Sequence, residues 1–278
     1  MIFAQPARAG RADRGDWLGP GLALAGLLGA LALLAPLLLP PSGDVVLTQR
    51  FAAPFSPGRL LGADQLGRDL SARIAAGASW SLGVALSATA LAAAIGVPIG
   101  LAAAQARGWL KALALQAINL ALAFPALVAA LCLLALIGQG FFTVLIVLGV
   151  LTAPVFARVA YAEASSLLAR DYVLAARLAG VGPTVTLARH VLPGMIPSLA
   201  ALGAFHFADM LIAESALAFL GVGAPLDAPS WGAILAESRS FLFQAPWIML
   251  APAAAMVLAV LAATLIGEGL ATRAGRGR

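Results

Sequence analysis

Charge is what this chain of 278 residues most lacks: Asp, Glu, Lys and Arg together make up 10% of it. A water-soluble domain carries roughly 25%. With 62% hydrophobic residues and a mean hydropathy of +0.98, so few charges cannot hold the surface in water, and lipid is the expected solvent. Cysteine is nearly absent too. Cys132 stands alone inside an apolar run, which excludes an internal disulfide and offers no metal site. Histidine occurs only as His190 and His206, and no His-Glu-x-x-His pair exists for a metalloprotease. No nucleophile and base stand out as a serine-protease constellation. No Gly-rich loop ends in Lys-Ser or Lys-Thr, so the chain has no phosphate loop of its own for ATP. The net charge of +5 is no argument for nucleic acid in so apolar a chain, and none is expected as a partner.

Long apolar runs are what the chain has instead. A membrane-spanning helix needs about 20 apolar residues. Six stretches qualify: Trp17–Pro40, Trp80–Gln105, Leu113–Ile137, Phe141–Ala160, Met195–Leu217 and Trp247–Gly269. They are too continuous to be the alternating strands of a barrel. The first has a longer apolar core than a signal peptide and no A-x-A-like site after it, so it reads as a retained helix. The expected fold is an all-α polytopic membrane protein of about six transmembrane helices. Its parts are a tail at 1–16, a first span at 17–41, an outer loop with an interfacial helix at 42–76, a five-helix core at 77–271 and a basic tail at 272–278.

Basic residues choose the orientation. Arg8, Arg11, Arg14, Arg107, Lys111, Arg158, Arg170, Arg177, Arg189, Arg273, Arg276 and Arg278 fall on the side of the termini. Arg50, Arg59, Arg68, Arg73 and Arg239 fall opposite, diluted by Asp44, Asp64, Asp69, Asp227 and Glu237. The positive-inside rule then places both termini in the cytoplasm of a bacterial or archaeal cell, with the protein in its cytoplasmic membrane. In the outer loop, Asp69 and Arg73 have the i,i+4 spacing that pairs side chains on one helix face. The second outer segment, Phe219–Leu235, is rich in Gly and Pro; it lies at the interface or dips back along protein. Trp231 and Trp247 suit the interfacial aromatic belt.

The charged interruption at 161–193 is the most specific feature. Asp171–Ala179 has good helix formers with Arg177 near its end, where a cation suits the dipole. Gly180 and Gly182 end that helix, and Pro183 suits the first position of a second short helix over Thr184–His190, closed by Pro193. Two short helices at an angle make a knob about 10–15 Å across, with Arg170, Arg177, Thr184 and Arg189 outward. A competing reading lays the segment on the leaflet with its arginines on anionic lipid; such a helix needs no break at 180–183.

Ala175-Ala176, then Gly180, then Leu192-Pro193 resembles the coupling motif of permease subunits in binding-protein-dependent ABC importers. Leu174 stands at that motif's Glu and His190 at its Ile. Leu61-Gly62, Asp64, Leu66-Gly67-Arg68-Asp69, Arg73, Gly77 and Ser81-Leu82 resemble an outer signature of the dipeptide/oligopeptide/nickel branch, as does the stretch from Glu214 to Leu235. The chain departs from that signature at Ala63, Ala72 and Ser79, and has Asn119 where the branch has an aspartate. The resemblance covers about residues 15–270. It implies a type I importer permease fold, here the second, C-type permease of a pair. It implies ATPase coupling through Tyr172, Ala175, Ala176, Arg177, Gly180, Gly182, Pro183, Arg189, Leu192 and Pro193, within coupling helices at 163–192, and an outer signature of Asp64, Gly67, Arg68, Asp69 and Arg73. The implied partners are a second homologous permease, two ABC ATPase subunits and an extracytoplasmic solute-binding protein, besides membrane lipid. No cofactor is implied for this chain; ATP and Mg would sit on the ATPases. Small peptides are the expected cargo, with nickel or another small nutrient as the alternative.

Ionisable residues within spans mark a protein interior or a water path. His206 and Asp209 share a helix face at i,i+3 spacing, and Glu214 lies near the outer end, within reach of the interface. These three line a pore or hold helices together by hydrogen bonds. Ala92, Gly96 and Gly100 form a small-residue stripe, common enough in an alanine-rich chain to carry little weight. Pro98, Pro125 and Pro154 are candidate kinks. A channel would need a selectivity ring and a secondary transporter commonly shows inverted repeats; neither is evident.

Overall fold

The computed structural model describes residues 17–38, 43–224 and 229–276. Among these the chain forms ten α-helices and no β-strand: α1 (Leu18–Leu38), α2 (Leu70–Gln105), α3 (Gly108–Ala123), α4 (Ala126–Ile137), α5 (Phe141–Leu168), α6 (Asp171–Leu178), α7 (Pro183–Thr186), α8 (Leu192–Phe219), α9 (Trp231–Ser238) and α10 (Trp247–Arg276). The fold class read from the sequence is therefore the observed one.

The span count differs. Four helical runs are long and apolar enough to cross a membrane: α2, α5, Pro183–Phe219 and Trp247–Ala274. The expected third span is instead two helices, α3 and α4, bent by 77°. Proline explains the break. The ring of Pro125 drives the residue before it out of helical conformation, and Phe124 sits at φ −84°, ψ 134°. Counted as one broken span, the pair makes five. The described apolar stretch of α1, Leu18–Leu34, is shorter than the other spans, and residues 39–42 lie outside the described set. The interfacial helix expected before the second span is not separate either. α2 starts at Leu70 and runs 36 residues without a break, capped by Asp69, whose carboxylate accepts from the amides of Ser71 and Ala72.

The small-residue stripe on α2 proves to be a packing surface. At Gly96 a side-chain carbon would meet the Ala153 carbonyl, Phe156 Cβ at 2.7 Å and Ala157 N at 2.9 Å. At Gly100 it would meet the Ala157 carbonyl and Ala160 Cβ at 2.7 Å. α2 and α5 thus meet backbone to backbone over two turns, as small residues allow in a bilayer.

The main core gathers Leu70, Val84, Leu134, Leu148, Leu211, Trp231, Ile234 and Ile248. A second, smaller cluster of Ala160, Ala164, Leu168, Val173, Val191 and Met195 lies at the opposite end. It glues α6 to the ends of α5 and α8.

Candidate functional site

Two polar constructions stand at opposite ends of α2. The first is the segment from Arg170 to Pro193. Asp171 opens α6 and Arg177 closes it, each at the helix end whose partial charge it complements. Val173 is fully buried in the small cluster and holds the helix down. At its C-terminus the Gly180 amide donates to the Arg177 carbonyl and the Val181 amide to that of Ala176. These are the paired bonds of a Schellman end, which needs a left-handed residue; Gly180 supplies φ +86°. Gly182 then caps α7, and Pro183 takes its first turn, where no amide is needed. The Thr186 hydroxyl, buried, donates to the Gly182 carbonyl at 3.0 Å.

Beyond Thr186 the chain departs from the expected second short helix. Leu187–Val191 forms a π-turn and passes straight into α8. Pro193 does not end the segment. It sits in the first turn of α8, where a missing amide is tolerated, and Pro183–Phe219 is one helical run of 37 residues. The knob therefore consists of α6 and the near end of a span. Its outer face carries Tyr172, Leu174, Ala175, Leu178, Gly180, Gly182, Pro183, Val185, Arg170, Arg177, Thr184 and Arg189, all exposed. Ala176 and Leu192 are half-buried. Leu178 is 90% exposed, with Leu174 and Val185 also exposed.

The second construction is an ion network at the N-terminal end of α2. The Asp64 carboxylate, fully buried, accepts from the amides of Leu66 and Arg68, from Arg68 Nε at 2.6 Å and from Arg73 Nη1 at 2.7 Å. Arg73 also reaches across to α9 and grips both oxygens of Glu237, at 2.9 and 3.0 Å. Arg68 Nη2 and Gln65 Nε2 donate to the same carboxylate at 2.8 and 2.9 Å. Gly67 turns the loop at φ +74°, with the Val46 carbonyl where a side chain would be. All five residues of the outer signature are thus brought together, but not in the expected pairs. Asp69 is occupied as the cap of α2 and bonds Arg59 at 3.3 Å, so Arg73 turns to Asp64 and Glu237 instead. Spacing in the sequence singles out neither Glu237 nor Gln65. Only the place of Glu237 among the outer acids hints at the former.

α9 wedges between α2 and α8. Trp231 is buried, its amide donating to Ser81 Oγ at 3.1 Å and its indole nitrogen to the Ile74 carbonyl at 2.9 Å. It is an anchor inside the protein, not a member of an interfacial belt. Its buried location follows from Gly232, which lies so close to α8 that a side-chain carbon would meet Ser215 Cα at 2.6 Å. Of the intramembrane trio, His206 and Asp209 part company. His206 is buried edge-on against Phe156, centroids 5.1 Å apart, whereas Asp209 is exposed. Glu214 does not reach an interface; it is 2% exposed and accepts from Ser215 Oγ at 3.2 Å.

The network makes this end of the fold acid-sensitive. Burial alone would raise Glu237, but the hydrogen bonds and charge of Arg73, with Gln65 and Arg68, outweigh it and hold the carboxyl below its ordinary value. A carboxylate lowered on folding adds stability that is full above its ordinary value of 4.5 and is lost as pH falls through the folded value. Melting temperatures taken from pH 7 downward should fall for the wild type below this point. Glu237→Gln should start lower and flatten the curve; parallel curves would contradict the assignment.

The chain as a whole resembles known proteins. Residues 96–276 match the family described as binding-protein-dependent transport system inner membrane component. A Brucella ovis protein provisionally named a peptide permease protein is 39% identical over 256 residues, covering 86% of this chain and 83% of that one. A Brucella suis protein provisionally named a peptide transport system permease protein is 37% identical over 250 residues, 90% of this chain and 84% of its own. The dipeptide transport system permease protein DppC of Alkalihalophilus pseudofirmus is 32% identical over 241 residues, 86% of this chain and 79% of its own. The chain belongs to the binding-protein-dependent transport system inner membrane components: it is a multi-pass permease subunit of an ABC importer, not its ATPase.

Proposed function

We propose that this subunit forms half of a translocation path for small peptides, paired with a second, homologous permease. Two ATPase subunits dock on the cytoplasmic face of the 170–193 segment, and a solute-binding protein delivers cargo at the opposite end. Both termini are cytoplasmic in this reading, in keeping with the distribution of arginines. The peptide cargo is supported by the names that the relatives carry.

The observation that carries the docking site is the contrast across α6. Its inner side is fixed by buried Val173, while Leu174, Leu178 and Val185 stand exposed beside three arginines on the outer side. An apolar, cationic face held on a rigid base suits a groove in another protein. The run Pro183–Phe219 carries the Val185 side of that face into the membrane core as one helix with a π-turn at Leu187–Val191, so a shift of the knob reaches α8.

Gly182→Trp tests this. The residue has an ordinary φ of −64° and no atom within 4 Å of a side-chain carbon, so the variant should fold and insert. It should lose the ATPase subunits in copurification and lose ATP-driven uptake at least tenfold. Retention of both would place the docking face elsewhere.

A further inference from the structure

The end of the fold that carries α6 and α7 also carries a cleft, of which Arg177 and Pro183 of the proposed docking face form one rim. It measures 690 Å³ and opens between the end of α2, the start of α3, the end of α5 and the α6–α7 segment. Arg107, Lys111 and Arg177 line it, and among the described residues no acidic one does. Among the described residues none of the three is in an ion pair. Lys111 lies over the Tyr161 ring at 5.4 Å. Ser165 Oγ, on the same wall, is buried without a hydrogen-bond partner. Donors thus converge from α3, α5 and α6, and what they lack is an acceptor with negative charge: a phosphate.

The surroundings say what carries it. Arg107 is the first charged residue after the charge-free run 74–106, which places the cleft at the edge of the hydrocarbon. Directly beside it on α3, Trp109, Leu110 and Leu113 are 72, 52 and 58% exposed. A cationic cleft bordered by bare apolar side chains matches an amphiphile better than a soluble ion. We propose that the cleft seats the phosphodiester headgroup of an anionic phospholipid, its acyl chains lying along the start of α3. The inference needs the chain to lie in a membrane, as its family does. It does not need ATPases to dock at α6, so the two readings fail separately.

Trp109 reports on the site. The full chain, with the subunits that copurify with it, is reconstituted with brominated phosphatidylglycerol or brominated phosphatidylcholine. Quenching of Trp109 is taken as the difference from Trp109→Phe. Each cation at a membrane surface favours an anionic lipid about fivefold. Phosphatidylglycerol should therefore be preferred by at least that factor, and the double variant Arg107→Ser/Lys111→Ser should bring the ratio near one. Arg158→Ser, an exposed arginine outside the cleft, should leave it unchanged. Equal quenching by both lipids overturns the proposal, as does an Arg158→Ser effect equal to that of the double variant. Protection by millimolar inorganic phosphate would show a soluble anion in the cleft and overturn the lipid. A preference that is seen only after the copurifying subunits are stripped away would show their side chains in the cleft, with the same consequence.

Discussion

Replacing Arg73 with methionine is expected to cost about 3–5 kcal/mol of stability, the range for breaking a buried ion pair from one side. Arg73 is 3% exposed and Asp64 is fully buried, so water cannot replace the bond lost at Asp64, whereas the partly exposed Glu237 can be rehydrated. The guanidinium is the piece that joins three parts of the chain: the outer loop through Asp64, α2 itself, and α9 through both oxygens of Glu237. Without it, Arg68 alone must balance two carboxylates. Arg59→Met is the informative contrast. Its partner Asp69 keeps its capping bonds to Ser71 and Ala72, so the loss should stay near 1 kcal/mol. Thermal unfolding of the purified protein in detergent checks both. A double variant Asp64→Asn/Arg73→Met should recover part of the loss, since it removes the stranded charge. A cost under about 1 kcal/mol for Arg73→Met would mean that the network behaves as a surface ion pair.

Gly96→Val is expected to abolish the folded protein. Overpacking usually costs about 1–3 kcal/mol where side chains can shift. Here the obstacles are the Ala153 carbonyl, Phe156 Cβ and Ala157 N, which belong to the backbone and first carbon of α5 and cannot rotate away. The two helices must separate, and with them Gly100 and the α5 residues behind it. Gly203→Ala provides the control. That glycine is also helical but has no atom within 4 Å of a side-chain carbon. Its replacement should be neutral or stabilise by about 0.5–1 kcal/mol, through helix preference alone. Monodisperse yield after size exclusion, with melting of whatever folds, separates the two outcomes. A monodisperse Gly96→Val protein with unchanged melting would show that α2 and α5 do not pack this closely.

Local chemistry is legible in the sequence wherever a residue acts on its neighbours. Gly180, Gly182 and Pro183 announce a helix end and a helix start because each controls its own backbone, and both appear where expected. The charge-free runs announce apolar helices for the same reason. Errors arise where two local rules compete or the partner is distant. Asp69 obeys both an i,i+4 rule and a capping rule; capping wins because the carboxylate sits at the first free amides of α2. Arg73 then finds Glu237, which no spacing rule connects to it. Pro193 reads as a stop, yet a proline in a first helical turn stops nothing. Trp231 reads as an interfacial residue, because tryptophan prefers interfaces and nothing local reveals that α8 backbone lies against Gly232. The stripe at Gly96 and Gly100 is visible in the sequence but indistinguishable from alanine-rich background until α5 is laid on it.

The reach of Arg73 to Glu237 also sets a timetable. The two residues lie 164 positions apart. A ribosome moving at about 5–20 residues per second needs roughly 8–33 s to travel that distance. Through that interval the outer loop already holds Asp64 and Arg68, but the second carboxylate that completes the cluster does not yet exist. The start of α2 must therefore wait, half-neutralised, while the α3–α4 pair, α5 and α8 are made. A chain that stops before α9 shares the Asp64 carboxylate between Arg68 and Arg73, and a finished one gives the two arginines a second carboxylate.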